Sequence, residues 1–388
     1  MAKYKNLISI TLFFIVWVCM LQLVAYTATN RITLVPDQSY DGLKYDEKLL
    51  KEGSWPANWW QRFDANWYLS IASKGYFYSE NTQSNVVFFP LYPLLIRIFS
   101  PYTGSQALAG VLISLISTLF ACVLLYKLAK LEWNEKMGMR SVFLLLLFPV
   151  SFYLVSIYTE ALFLALSLAS FYYARTKRWF LAILFGIALT ATRITGLALL
   201  PALLLELIRQ RKQMGGAVFA LRGVGLFFIP LGFAAFAFAM SIQFGDASLI
   251  FKVQSAWQRN FDPSYQSVIA SLQQYVSEFS LVASPTNPQP LFTRLVDVSF
   301  FALFVIAVII TWFKMPTPYA LFATLLLLIP LMSGRLQSIP RYMLSAFPVF
   351  FSLALLTKKQ LPAMITFVIF TLFLSLFTVM FVHFHWIA

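Results

Sequence analysis

The 388 residues are 60% hydrophobic and only 11% charged. A soluble chain of this length cannot hide so much apolar surface, so soluble globular classes are excluded. The net charge of +14 comes from basic clusters between apolar runs, a pattern of membrane orientation rather than of nucleic-acid binding.

Lys3 and Lys5 precede an apolar run that continues to about Thr29. That run is too long for a signal-peptide core, and no small-residue cleavage site follows, so it predicts a retained first span at 7–29. Further spans are predicted at 106–128, 141–157, 161–174, 179–192, 195–208, 217–242, 291–313, 317–334, 342–357 and 361–383. The expectation is an all-α polytopic membrane protein of about eleven membrane helices, one domain over 1–388, with several helices short or re-entrant. Two long outer loops are expected at 30–105 and 243–290.

The clusters at Lys3/Lys5, Lys127 to Arg140, Arg175/Lys177/Arg178, Arg209 to Arg222, Lys314 and Lys358/Lys359 hold 16 of the 29 Lys and Arg. Only Glu132, Glu135 and Glu206 accompany them. The rest of the chain carries 13 basic and 12 acidic residues. The clusters therefore mark the cytoplasmic side, and the N-terminus is expected there. Both ends of 179–208 are basic, so this segment must go out and return. Each leg is roughly 21 Å of helix, short of a core of about 30 Å. A turn at 191–196, sunk in an outward-opening aqueous recess, is the consequence; one long tilted helix is the alternative, against the charge rule.

Cys19 and Cys122 lie in spans and suggest neither a disulfide nor a metal site. His383 and His385 read as polar residues at a helix end. The chain has no N-x-S/T sequon, a hint away from a secretory-pathway surface and toward a bacterial plasma membrane. In the first loop, 41–55 suits a short surface helix, and 86–99 an interfacial or partly inserted segment broken by Pro90 and Pro93.

The stretch WWQRFDANWYLSIASKGY (59–76) carries the strongest chemical signal. Asp64 lies among Trp59, Trp60, Phe63, Trp67, Tyr68 and Tyr76. Aromatic faces pack on sugar C–H faces, and a carboxylate can take a hydroxyl proton. DANWYLSIA also reads as a helix start with Asp64 at the N-cap, so capping alone would account for the acid, as would simple solvation.

RFDANWYLSIASKGY followed by FFPLYPLL resembles the luminal signature of the PIG-V mannosyltransferase family (GPI mannosyltransferase II-like). FPVSFYLVSIYTEALFLALSLASFYYAR (148–175), ATRITGLALL (191–200) and IPRYMLSAFPVF (339–350) are similar to that family's later blocks, in register from Trp59 to Phe350. Ile194 departs from it, where the family often has proline. The resemblance implies a GT-C-like membrane glycosyltransferase, acting on the outer or luminal face with a polyprenyl-phosphate sugar donor, mannose by the same resemblance.

On that reading Asp64 is the catalytic base. Glu160, beside Tyr158 at the tip of the 141–174 hairpin, either meets a ligand hydroxyl or basic partner or is a polar turn residue. Arg193 in the sunken turn needs an anion or an acid. Arg341 and Arg335 flank an outward turn at the level of a lipid headgroup, where a guanidinium fork suits a phosphate. Trp67, Tyr68, Tyr158, Gln254, Trp257 and Arg259 are candidate substrate contacts; Gln254 and Trp257 would share a face if helical, or form an interfacial anchor. Arg294 and Asp297 read as a structural ion pair. No D-x-D or other tight acidic cluster is present, so the expected reaction is metal-independent, without cofactor, and inverting. A glycolipid, a glycan and a protein all stay open as the acceptor. A transporter or flippase of lipid-linked sugars is the alternative, though no internal repeat supports it; a non-catalytic subunit is a third.

Overall fold

A computed structural model describes residues 5–34, 56–257, 259, 262, 264–281, 289–332 and 338–387. The surface helix expected at 41–55 lies outside them. Among the described residues the secondary structure is helical, with no strand.

The first helix is α1 (Lys5–Arg31). Inside the first loop come α2 (Ala65–Lys74) and α3 (Leu91–Thr103). Pro90 and Pro93 do not break α3 but sit at its start, where a missing N–H costs nothing. There follow α4 (Gln106–Glu132), α5 (Glu135–Leu147), α6 (Glu160–Arg175), α7 (Trp179–Thr190) and α8 (Leu199–Gln210). Then come α9 (Gly216–Leu226), α10 (Leu231–Phe244), α11 (Tyr265–Leu281), α12 (Gln289–Lys314) and α13 (Thr317–Leu331). The last are α14 (Ile339–Ser345), α15 (Pro348–Leu356) and α16 (Gln360–Val382). The loop expected over 243–290 thus carries a helix of its own, α11.

Among the described residues, five segments are long and apolar enough to cross a membrane: α1, α4, the α9–α10 pair, α12 and α16. The pair α14–α15, bent by 91°, would make a sixth. This is fewer than the sequence suggests, because several apolar runs are interrupted. The run 141–157 stops at Leu147, next to Phe148-Pro149, and continues as a 3₁₀ turn over Ser151–Leu154. Between α7 and α8 the chain breaks at 191–193 and passes through a 3₁₀ turn, Ile194–Ala198. One continuous helix over 179–208 is therefore ruled out. Each leg is 12 residues, or about 18 Å.

Residues 148–171 are all buried, so most of α6 is enclosed by protein. Its composition, apolar on every side, suits a core helix as well as a lipid-facing one.

The chain divides into two compact units. One holds Met1–Gly75, Pro90–Tyr172 and Phe350–Ile387; the other holds Tyr76–Phe89 and Tyr173–Val349. In the first, α4 packs on α3, α5 and α1, and α16 packs on α1 and α5. The α4–α5 hairpin needs Gly138, where a Cβ would stand 2.8 Å from the Tyr126 carbonyl. In the second, α13 packs on α8 and α12, and α10 on α7. Gly232 permits the last contact: a Cβ there would lie 2.1 Å from the Ile187 carbonyl.

Candidate active site

The segment before α2 has an unusual backbone. A 3₁₀ turn over Ala57–Trp60 leads to Phe63, whose φ is +51°. A bulky residue in this region is a steric outlier that costs about 1–3 kcal/mol and persists only where its surroundings enforce it. Here they do: Phe63 has no exposed surface and packs on Phe381, Phe384 and Trp386, the last edge-on at 5.1 Å. The next residue is Asp64.

Asp64 takes the N-cap position of α2, as the sequence suggests, and its carbonyl accepts the Trp67 N–H at 3.0 Å. Its side chain, however, makes no capping hydrogen bond, and its φ of −59° is helical rather than extended. Capping therefore does not account for this carboxylate.

Two hydrogen bonds tie the Asp64 loop to the chain just before α6. The Asp64 N–H donates to the Tyr158 hydroxyl at 3.2 Å, which donates to the Arg62 carbonyl at 2.9 Å. A third contact runs from the Ile157 N–H to the Trp60 carbonyl at 3.2 Å. Tyr68 and Thr159 share a hydroxyl contact at 3.3 Å. The 154–156 backbone is held from α4, where Ser114 donates to the Ser156 carbonyl and Thr118 to that of Leu154. These hydroxyls satisfy carbonyls that a non-helical segment leaves open. Tyr92 donates to the Gly110 carbonyl at 2.9 Å and meets Ser114 at 2.8 Å. Burial pushes the Tyr92 phenol up, with Tyr68 and Glu160 adding to the effect, so it stays a neutral donor.

The structure thus brings Asp64, Tyr68 and Tyr158 together. Trp67, next to Tyr68 on α2, is half-buried. Tyr158 has no exposed surface; it holds the Asp64 backbone rather than offering a ring face to a sugar. Glu160, expected at an outward-facing turn, is instead the first residue of α6 and fully buried. The run that reads as a simple hairpin tip is contacted by Trp60 and Tyr68 of the first loop.

The second unit holds the other candidates. Arg193, in the turn after α7, lies over the Tyr342 ring at 5.2 Å. Arg341, next to Tyr342 on α14, is buried. Two of the three arginines expected at a phosphate therefore lie on neighbouring segments. Arg335 lies outside the described residues. Gln254 and Trp257 do not share one helix: Lys252 ends a single turn that begins at Leu249, and Trp257 ends a 3₁₀ turn. Trp257 donates to the Ser84 carbonyl at 3.2 Å and packs on Phe88, fixing this segment to the later part of the first loop. Gln254 donates to the Ile250 carbonyl at 3.0 Å, and Arg259 is exposed. The expected Arg294–Asp297 ion pair gives way to a backbone contact: Asp297, buried, accepts the Ile339 N–H at 3.2 Å, at the start of the helix bearing Arg341.

Sequence reasoning passed over the residues that hold the Asp64 loop from far along the chain. Arg62 donates through Nε to the Val382 carbonyl at 3.0 Å and through Nη1 to the Asn58 and Gln61 carbonyls. It also lies 4.2 Å above the Phe384 ring. The only available hint was the aromatic run after the last span. Among the described residues, no three His, Cys, Asp or Glu side chains gather as metal ligands would.

A family model described as Mannosyltransferase (PIG-V) matches residues 8–214. No curated protein matches the chain.

Proposed function

The chain belongs to the PIG-V mannosyltransferase family, and is thus a glycosyltransferase; on that premise we propose that it moves mannose from a polyprenyl-phosphate donor to an acceptor hydroxyl at the outer face of a membrane. The observation that carries the reading is Asp64. Its carboxylate is released from helix capping and follows a strained residue that its surroundings hold in place. Strained backbone at one carboxylate is a frequent mark of a functional site.

The proposed reaction is one displacement at the anomeric carbon. The acceptor oxygen bonds to that carbon as the bond to the phosphate oxygen breaks. Asp64 takes the acceptor proton, and the lipid phosphate leaves with the electron pair. One displacement inverts the centre, so a β-linked donor gives an α-linked product. Arg341 is assigned to the leaving phosphate, with Arg193 and Arg335 in support, because a guanidinium fork matches phosphate oxygens. The proposal needs no metal, since arginines neutralise the developing charge. Trp67 and Tyr68 are assigned to the sugar or acceptor, and Gln254, Trp257 and Arg259 to the acceptor. Within the first unit, Tyr158 holds the Asp64 backbone, and Glu160 is assigned to a substrate hydroxyl or a basic partner. These roles follow from chemistry within each unit.

In this reading α7, α13 and the α14–α15 pair are embedded in the membrane beside the five long spans, as a GT-C-like fold requires. The distribution of Lys and Arg supports a cytoplasmic N-terminus, and the lack of an N-x-S/T sequon favours a bacterial plasma membrane.

The test uses purified protein in detergent with radiolabelled polyprenyl-phosphate mannose and a membrane-lipid extract as acceptor source. Transfer of label with release of polyprenyl phosphate supports the enzyme. Movement of the intact donor across reconstituted vesicles without transfer would support a flippase instead.

A further inference from the structure

Residues 381–386 follow from no role in the reaction above, yet they make a dense set of contacts with the two residues that precede Asp64. Phe381, Phe384 and Trp386 surround the Phe63 ring at 5.8, 6.3 and 5.1 Å. Arg62 donates to the Val382 carbonyl at 3.0 Å and covers the Phe384 ring at 4.2 Å. His383 lies 3.1 Å from the Ala28 carbonyl through Nε2; a carbonyl partner requires the proton on that nitrogen. This bond moors the segment to α1. Phe384 itself has a φ of +61°, so the chain leaves α16 by a turn that aims Phe384 and Trp386 at Phe63.

A left-handed phenylalanine does not hold itself. Released, Phe63 would relax toward an ordinary φ and carry Asp64 with it, since φ at 63 sets the direction of the next residue. What opposes this relaxation is the burial of the Phe63 ring, together with the Arg62 hydrogen bonds. Burial of one ring is of the same order as the strain of such a backbone, so losing one wall of the ring's enclosure is enough to tip the balance.

We propose that Phe384 and Trp386, with Arg62, are positioning residues for the Asp64 carboxylate: a clamp from the far end of the chain that keeps Phe63 left-handed. The proposal rests on Asp64 as the base. Misplacing a catalytic group by about 1 Å costs roughly 100-fold in rate without weakening ground-state binding.

The experiment compares Trp386→Ala, Trp386→Phe, Arg62→Lys and Asp64→Asn in the full chain, purified in detergent, with radiolabelled polyprenyl-phosphate mannose and membrane-lipid extract. Each variant is also examined by hydrogen–deuterium exchange. Trp386→Ala should lower kcat by about 10- to 100-fold with the donor KM changed less than about threefold. Exchange should quicken at amides 61–67 and not in α7 or α8. Trp386→Phe, which keeps an aromatic wall, should recover most of the loss in both measurements. Arg62→Lys keeps the charge but loses the fork to three carbonyls, and should reproduce the Trp386→Ala result if that variant does not fold. Wild-type kcat in both Trp386→Ala and Arg62→Lys, or unchanged exchange at 61–67, overturns the clamp. If Asp64→Asn turns over like wild type, the base assignment falls on its own, and the exchange data still decide whether the clamp holds the loop.

Discussion

The backbone N–H of Asp64 donates to the hydroxyl of Tyr158 at 3.2 Å, and these residues are 94 positions apart in the chain. The same hydroxyl donates to the Arg62 carbonyl at 2.9 Å. One phenol therefore satisfies two backbone groups on either side of the strained Phe63. Tyr158→Phe keeps the ring and removes both bonds. It should cost about 1–3 kcal/mol, because the Asp64 N–H loses this partner while the Arg62 carbonyl keeps the Ala65 N–H at 3.1 Å, and it should lower kcat more than it raises the donor KM. Thermal unfolding in detergent and steady-state transfer check the two effects. An unchanged midpoint with unchanged kcat would show that the link carries neither.

Gly232 tests the turn that carries Arg193. A Cβ at this position would meet the Ile187 carbonyl at 2.1 Å, the Thr190 hydroxyl at 2.6 Å and the Ala191 N–H at 2.7 Å. Thr190 also donates to the Ile229 carbonyl at 2.7 Å, tying the end of α7 to the start of α10. Most of these contacts are backbone and cannot swing aside. Gly232→Ala should destabilise by about 1–3 kcal/mol as overpacking and weaken donor binding by shifting Arg193. Gly223→Ala, inside α9 with its nearest neighbour at 3.9 Å, is the control and should not lower the unfolding midpoint.

How much of this was legible in the sequence depends on the range of the interaction. The helix after Asp64 and the break near 191–196 were legible, because capping residues, charge clusters and segment length are local signals. The PIG-V blocks led to the family that the residue 8–214 match shows. The burial of Glu160 was not legible: an apolar α6 looks the same whether lipid or protein surrounds it. Phe63 gave no sign of its left-handed backbone, since its reason lies in Phe384 and Trp386, more than 300 positions on. Asp297 and Arg294 had the spacing of an ion pair, but the Ile339 N–H, brought there by α14, took the carboxylate.

The buried carboxylate of Glu206 joins the end of α6 to α8. It accepts from Arg175 and from Arg209, both at 2.9 Å, and from Gln210 at 2.6 Å. Arg175 is 19% exposed and Arg209 39%. The two arginines should differ accordingly. Arg175→Ala should cost about 2–3 kcal/mol, as the less solvated partner of a buried charge, and Arg209→Ala less than about 1 kcal/mol. Equal losses on thermal unfolding would contradict the ranking.

Asp246 gives a pH dependence. The Lys252 ammonium at 2.6 Å, then Ser248, hold its carboxyl down from 3.8 to about 2. A depressed native pKa stabilises the folded state fully above the unfolded value, and the contribution is lost as pH falls through the native one. The difference in unfolding midpoint between wild type and Asp246→Asn should therefore hold at pH 5, shrink between 3.8 and about 2, and also shrink in high salt. A difference that grows on acidification would contradict the assignment.

The most direct measurement is turnover by Asp64→Asn in the purified, folded protein, with radiolabelled polyprenyl-phosphate mannose and membrane-lipid extract. Loss of the base should lower kcat by about 100- to 10,000-fold, with donor binding retained. Transfer at the wild-type rate would show that the acceptor proton goes elsewhere and would contradict the account.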